Sequence, residues 1–308
     1  MTVPDISAIV CTRNRPQFAR NAVESVLATK DARYELIVVD QSDSGETETV
    51  LRPLREKIVY IRTKTRGAAS ARNLGAAAAT GRYLAFTDDD CEVPANWLRT
   101  AKESLDETPE AAFCYGSVES PPATNTGGGG VPSMYLQAKR LIGAHHGFEL
   151  CGMSANMAIR SEVFHLLHGF DEALGTGAPL NSAEEFDLQY RAHRCAFAAL
   201  LNPSLAVTHY GFRTQAEWKR LYWRDGYGVG AFFMKHVRCG DAFALRKMAL
   251  FLCREAARSA KGILLHRDSR RWIFLVGIIV GAFRSFRFGI DKETRRYKLV
   301  RRGIELVE

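Results

Sequence analysis

The chain of 308 residues has room for one large domain or two of ordinary size, and with 46% hydrophobic and 25% charged residues it has a globular composition. Disordered, fibrous and multi-span membrane proteins are excluded. The net charge of +8 is unevenly spread: residues 1–212 hold 20 Lys and Arg against 25 Asp and Glu, whereas residues 213–308 hold 22 against 9, so the basic character belongs to the C-terminal third.

Ile6 to Cys11 is an apolar run of strand length, followed by the polar turn Thr12, Arg13, Asn14, Arg15 and then Pro16, which suits the first turn of a helix. Phe18, Ala22, Val23, Val26 and Leu27 recur at helical spacing and predict a helix from Pro16 to Ala28. Glu35 to Asp40 reads as a buried strand ending in an acid. Ile58 to Ile61 reads as the next strand and Ser70 to Ala79 as an alanine-rich helix stopped by Gly81. Tyr83 to Phe86 is then a strand running into Thr87, Asp88, Asp89 and Asp90. This βαβα order predicts an α/β fold with a mostly parallel sheet flanked by helices. Ligands of such sheets bind beyond the carboxyl ends of the strands, where Thr12 to Arg15, Asp40 to Ser42 and Asp88 to Asp90 all fall.

Neither G-x-G-x-x-G nor a P-loop follows the first strand, so both glycine cradles for phosphate are missing. Three consecutive aspartates read either as a solvated turn or as carboxylates gathered around a hard divalent cation. Their place at a strand end, beside the arginines of R-G-A-A-S-A-R-N-L-G (Arg66 to Gly75), favours the cation.

These residues resemble the family 2 glycosyltransferases, inverting enzymes that use nucleotide sugars and the GT-A fold. The matching stretches are I-V-C-T-R-N-R-P, I-V-V-D-Q-S, R-G-A-A-S-A-R-N-L-G, G-R-Y-L-A-F-T-D-D-D, G-M-S-A-N-M-A-I-R, and G-F-D-E followed by A-E-E-F-D-L-Q-Y-R, in order over roughly residues 5–212. The resemblance implies that Thr12, Asn14 and Arg15 line a nucleotide pocket with Asp40 as its floor. It also implies that Arg72 faces the diphosphate and that Asp88 and Asp90 are the ends of a D-x-D motif holding Mn2+ or Mg2+. Asp89 would contact sugar or ribose. Gln41 stands where the family commonly has a second acid, which leaves the base open. His209 matches a position where some members place a third metal ligand, although a lone histidine is more often structural.

Attack by an acceptor hydroxyl needs its proton removed, commonly by a carboxylate. Glu184, Glu185 and Asp187 form the acidic cluster after the triplet. Spacing alone fits a first helical turn stabilised by the macrodipole equally well. The resemblance points to Glu185 as base, with Glu184 second.

Residues 120–133 (S-P-P-A-T-N-T-G-G-G-G-V-P-S) predict a flexible loop, either an idle linker or a lid, and His145 and His146 read as ordinary polar loop residues. Beyond residue 212, Trp218, Tyr222, Trp223, Tyr227, Phe232 and Phe233 are interleaved with basic residues. Trp272 to Phe283 is uncharged over 12 positions, too short for a bilayer core that needs about 20, and is flanked by Arg270, Arg271, Arg284 and Arg287. It fits a membrane-interface helix or a buried core helix. No RNA-binding signature accompanies the aromatics, so nucleic acid is not an expected partner.

Seven cysteines without a C-x-x-C pair, and no basic or apolar leader in Met1 to Ile6, point to reduced thiols and a cytoplasmic setting. The expected organisation is a catalytic domain over 1–212, followed by a basic helical extension over 213–308. Within the catalytic domain, residues 1–119 would bind the donor, 120–133 form the loop and 134–212 serve the acceptor. The expected activity is a hexosyltransferase, peripheral at the inner face of the membrane, that passes sugar to a carbohydrate or lipid-linked acceptor. The rival readings are a non-catalytic nucleotide-sugar-binding or membrane scaffold, and a glycosidase with paired carboxylates that needs neither nucleotide nor metal.

Overall fold

The computed structural model describes residues 3–122, 129–266 and 268–299. Residues 123–128 of the expected loop lie outside the described residues. In chain order the elements are β1 (Ile6–Thr12), α1 (Pro16–Leu27), β2 (Tyr34–Asp40), α2 (Glu46–Leu51), β3 (Val59–Arg62), α3 (Ala68–Ala78) and β4 (Tyr83–Asp88). There follow β5 (Cys91–Glu92), α4 (Trp97–Asp106), β6 (Ala111–Glu119), β7 (Arg140–Gly143), β8 (Asn156–Arg160), α5 (Ser161–Leu166), α6 (Glu184–Arg194) and β9 (Ala198–His209). The C-terminal third adds α7 (Gln215–Arg238), α8 (Ala242–His266), α9 (Arg270–Arg284) and the hairpin β10 (Gly289–Asp291) and β11 (Arg296–Lys298).

The chain divides into two compact units, Met1–Phe170 with Glu185–Trp218, and Asp171–Glu184 with Lys219–Glu308. The first is built on a nine-stranded sheet of order β3-β2-β1-β4-β8-β6-β9-β5, with β7 paired to β9. The expected parallel order holds across β3-β2-β1-β4. Beyond β4 the sheet is mixed, because β8 runs antiparallel to both its neighbours while β6 and β9 are parallel to each other.

Alternation along the strands divides the core. Ile6, Ala8, Val10, Leu36 and Val38 pack with Val23 and Val26 of α1 and Trp97 and Leu98 of α4. The intervening Ile9, Ile37 and Val39 pack on the opposite face with Ala69 and Ala76 of α3 and Phe164 of α5. Helix α3 is alanine-rich because it lies close on the sheet: a methyl added at Gly75 would come within 2.6 Å of the Ile9 side chain.

The second unit contains a backbone-on-backbone helix contact. Gly226 and Gly230 of α7 face the carbonyls of Phe274 and Ile278, while Gly277 and Gly281 of α9 face those of Trp223 and Tyr227. Two G-x-x-x-G spacings therefore interlock, with glycine on both sides of the crossing. Among the described residues no helix is long and apolar enough to cross a membrane. The stretch over 272–283 lies in α9, with Leu275, Gly277, Ile278, Gly281 and Ala282 buried and Trp272, Ile279 and Phe283 exposed.

This crossing makes a substitution change sign. In an open helix Gly→Ala gains about 1 kcal/mol, whereas at Gly281 the new methyl meets the Tyr227 carbonyl. Gly281→Ala is expected to lower stability by about 1–3 kcal/mol, read by denaturant unfolding with a probe in the second unit. A stabilised variant would show that the helices part at no cost.

Candidate active site

The register of the sheet assembles the site in the first unit. Thr12 lies opposite Asp40 at the β1–β2 pairing, and Cys11 lies opposite Asp88 at the β1–β4 pairing, so three strands end at one edge. The short strand β5 then pairs antiparallel with the end of β9, setting Cys91 opposite His209. Residues far apart in the chain are thereby brought beside the aspartates of β4 and its turn.

Each aspartate has its own partners. Asp88 accepts from Nη2 of the buried Arg72 at 2.7 Å. Asp89 accepts from Thr12 Oγ1 at 2.8 Å and from Arg15 Nη1 at 3.1 Å. Asp90 accepts from Arg15 Nη1 at 2.9 Å, lies 3.1 Å from Nε2 of His209, and has Arg213 at 3.9 Å. Burial pushes the Asp89 carboxyl up to about 6, with Asp90 and Asp88 adding to the rise and Arg15 and Thr12 opposing it. Burial acts the same way on Asp90, but the hydrogen bond and charge of His209, then Arg15 and Arg213, carry it below the ordinary value. His209 moves up in return: burial lowers it, and the Asp90 hydrogen bond and charge outweigh that.

The His209 ring is fixed on its other side by the Pro132 carbonyl, 2.7 Å from Nδ1. A carbonyl can only accept, so Nδ1 donates its proton to Pro132, and Nε2, directed at Asp90, donates to that carboxylate when the ring is charged. Gly211 keeps the space beside this pair open, since a methyl there would come within 2.6 Å of both Asp90 Oδ2 and His209 Nε2. Asp90, Cys91 and His209 each offer one ligand atom, all within 4.8 Å of one another, and are buried. The Cys91 thiol is held well above its ordinary value by burial and then by Asp88 and Asp90, which makes it the weakest of the three donors.

The other residues of the expected pocket have mixed duties. Asp40 is buried and accepts from the Ser42 amide at 2.8 Å and the Tyr60 hydroxyl at 2.6 Å. Gln41 donates to Thr65 Oγ1 at 3.1 Å and to the Gly67 carbonyl at 3.2 Å, bracing the turn before α3. Asn14 adopts a left-handed backbone (φ 56°). Its side chain exchanges hydrogen bonds with Asp43, donating to the carboxylate at 2.7 Å and accepting from the amide at 2.8 Å. Arg13 and Arg66 also pair with Asp43. Sequence reasoning does not reach Asp43, Tyr60 and Arg213, because nothing local in their sequence marks them.

Glu185 stands in the first turn of α6, half-buried, and its charge contributes to raising the buried Tyr115 hydroxyl, for which burial is the larger cause. Glu184 belongs to the second unit, where its carboxylate lies over Gly175 and adds to the raised carboxyl of Asp225, itself mainly an effect of burial. Asp187 is fully buried and paired with Arg191 at 2.9 Å, whose guanidinium also donates to the Leu167 and Gly169 carbonyls. That acid is structural. So is Asn156, which accepts from Trp97 Nε1 at 3.0 Å and donates to the Ser117 and Leu205 carbonyls at 2.8 Å. Asn73 exchanges bonds with both backbone groups of Phe170.

A mixed sheet whose strand ends gather carboxylates and facing arginines defines an α/β domain with a charged, buried strand-end site. The glycosyl transferase family 2 model matches residues 7–164, and the chain belongs to that family. It is 34% identical over 87 residues to an uncharacterized glycosyltransferase of Rickettsia felis, a match covering 28% of this chain and 14% of that protein. A glucosyl-dolichyl phosphate glucuronosyltransferase of Haloferax volcanii is 24% identical over 255 residues, covering 77% of this chain and 80% of its own length. Among solved structures, the mannosyltransferase PcManGT of Pyrobaculum calidifontis, in complex with GDP-Man and Mn2+, shares the fold. Its TM-score is 0.63 at 16% identity, with 93% of this chain and 88% of that one covered.

The raised Asp89 gives a pH dependence of definite sign. Its folded value of about 6 exceeds the ordinary 3.8, so the folded state holds the proton more tightly and loses stability as pH rises from about 4 through 6. With divalent ions chelated, unfolding free energy is expected to fall by up to about 3 kcal/mol across that window from this group. Asp89→Asn removes that share of the slope in denaturant titrations at pH 4, 5, 6 and 7, and an unchanged slope would assign it elsewhere.

Proposed function

We propose that this glycosyltransferase moves a hexose from a nucleotide-sugar donor to a carbohydrate or lipid-linked acceptor, with inversion at the anomeric carbon and with Mn2+ or Mg2+ at the strand end. The observation that carries the reading is the Asp90–His209 pair beside the space kept by Gly211, with Arg15 and Arg72 on the same strand end. Asp88, Asp90 and His209 would hold the cation, and its chemistry there is to offset charge on a leaving diphosphate. Arg15 and Arg72, now facing carboxylates, are the groups available to phosphate oxygens. Thr12, Asn14, Asp40 and Gln41 border the nucleotide, and Asp89 the sugar or ribose. The names of the Pyrobaculum and Haloferax proteins, one bound to GDP-Man and Mn2+ and one acting on a dolichyl-linked sugar, support the donor and acceptor classes.

In the transfer itself, the acceptor oxygen bonds to the anomeric carbon while the bond from that carbon to the diphosphate oxygen breaks. The proton of the acceptor hydroxyl passes to the Glu185 carboxylate, and the nucleoside diphosphate leaves with the bonding pair. One displacement at carbon inverts it. Glu184 is the second choice of base. We assign residues 1–212 as the catalytic domain, with 1–119 serving the donor and 134–212 the acceptor. Residues 213–308 are a helical extension that keeps the enzyme peripheral at the inner face of a membrane.

Two measurements test this reading. A nucleoside diphosphate at a hundredfold excess over its dissociation constant is expected to stabilise the protein by about 2.7 kcal/mol with Mn2+ and far less with chelator. Asp90→Asn should erase the difference, and equal stabilisation under chelation would remove the cation from the site. Glu185→Gln is expected to lower turnover by about 10² to 10⁴-fold with donor affinity unchanged. A larger loss for Glu184→Gln would transfer the role of base to that residue.

A further inference from the structure

Helix α9 carries more apolar surface than its packing uses. Opposite its buried face, Trp272, Val276, Ile279 and Phe283 follow one another at spacings of 4, 3 and 4, and Phe286 of the adjoining 3-10 turn continues the line at 3. That spacing places them on a single stripe. Trp272 is 51% exposed, Ile279 46%, Phe283 73% and Phe286 57%. Scattered exposed hydrophobics need no account, whereas a continuous line of large ones marks a contact surface. Rotation of the helix cannot hide it, because the other face is locked to α7 by Gly277 and Gly281 on the Trp223 and Tyr227 carbonyls. On α8, Leu245, Leu250, Ile263 and Leu264 are exposed as well.

Charge decides what the stripe meets. Residues 242–287 contain ten Lys and Arg against two acids. Both acids are already engaged, Glu255 with Arg258 and Arg271 and Asp268 with Arg270. Arg246, Lys261, Arg284 and Arg287 are exposed. A second copy of this chain would bring the same excess of positive charge against it. An anionic lipid surface offers the opposite charge together with an apolar layer of the shallow depth that side chains of one helix reach.

We propose that the outer stripe of α9 docks on an anionic bilayer. Trp272, Ile279, Phe283 and Phe286 enter the headgroup boundary while Arg284 and Arg287 meet lipid phosphates. This rests on the reading above that the enzyme works at a membrane, and it names the surface that holds it there. Anionic charge is expected to contribute on the order of tenfold or more to binding, from about 1 kcal/mol for each basic residue near the surface.

The full chain is sedimented with vesicles of phosphatidylcholine plus phosphatidylglycerol and with phosphatidylcholine alone. Binding to the mixed vesicles, at least about tenfold tighter than to the neutral ones and weakened by salt over a screening length of about 10 Å at 0.1 M, is expected. The exposed pair Phe283→Ser and Phe286→Ser, and separately Trp272→Ser, should each weaken binding on the order of tenfold. Their Mn2+-dependent stabilisation by nucleoside diphosphate, which monitors the first unit, should stay at the level of the unaltered chain. No binding to anionic vesicles, equal binding to neutral ones, or variants that bind as well as the unaltered chain would overturn the proposal. So would concentration-dependent self-association abolished by the same variants, which would make the stripe an interface between copies. Loss of vesicle binding with nucleotide stabilisation intact bears on the docking surface alone, and the reverse bears on the transfer reading alone.

Discussion

Three carboxylates in consecutive positions at the end of β4, two of them nearly buried, can be tolerated only if each is answered by a cation or a donor. The answers come from three distant segments of the first unit. Arg72 of α3 takes Asp88, Arg15 and Thr12 at the end of β1 take Asp89, and His209 at the end of β9 takes Asp90. The loop after β1, the N-terminal half of α3 and the β5–β9 pairing are therefore bound to one electrostatic requirement. The unequal outcome follows from what each partner offers. Asp89 is buried and shares a half-exposed arginine, so it rises to about 6, while Asp90 has a buried imidazole beside it and falls.

That arrangement also explains the division of labour among the arginines. A guanidinium cannot be deprotonated at working pH, so Arg15 and Arg72 remain charged whichever anion they face. On the proposed reading, the carboxylates that hold them in position would release them to a diphosphate without leaving buried charge, because a cation would take over the carboxylates. Exchange of partners of this kind would keep the count of charges at the strand end balanced before and after donor binding, with no buried ion left alone in either state.

The strands of the N-terminal half were legible in the sequence because both of their faces are covered, which makes Ile6–Thr12 and Tyr34–Asp40 nearly continuous apolar runs. The ends of those runs pointed to the edge where Asp40 and Asp88 lie beside Thr12 and Cys11. What lies beyond β4 was less legible. A two-residue strand such as β5 carries no periodicity, and it is the Cys91–His209 register that turns a lone histidine into a partner of Asp90. Tyr60 and Asp43 reach the site through tertiary contacts alone, with Tyr60 bonded to Asp40 and Asp43 to Asn14. The bonds that motif residues make with their neighbours were not legible either: Asp187 pairs with Arg191, Gln41 bonds Thr65 and the Gly67 carbonyl, and Asn14 bonds Asp43.

The apolar stretch in α9 shows why composition could not separate a core helix from an interfacial one. An uncharged helical stretch twelve residues long has about three turns, enough for a full stripe on each side. Glycines at 277 and 281 supply the inner stripe by removing side chains, so that the backbone of α7 itself is the packing partner. The large side chains are thereby displaced to the outer face, where Trp272, Ile279 and Phe283 stand. Had leucine occupied 277 and 281, the same hydrophobicity would have been spent on ridges and grooves between helices about 8–10 Å apart. Close approach and outward exposure are two consequences of one placement of small residues, and it is the position of the glycines within the stretch, rather than its mean apolarity, that decides which way the helix faces.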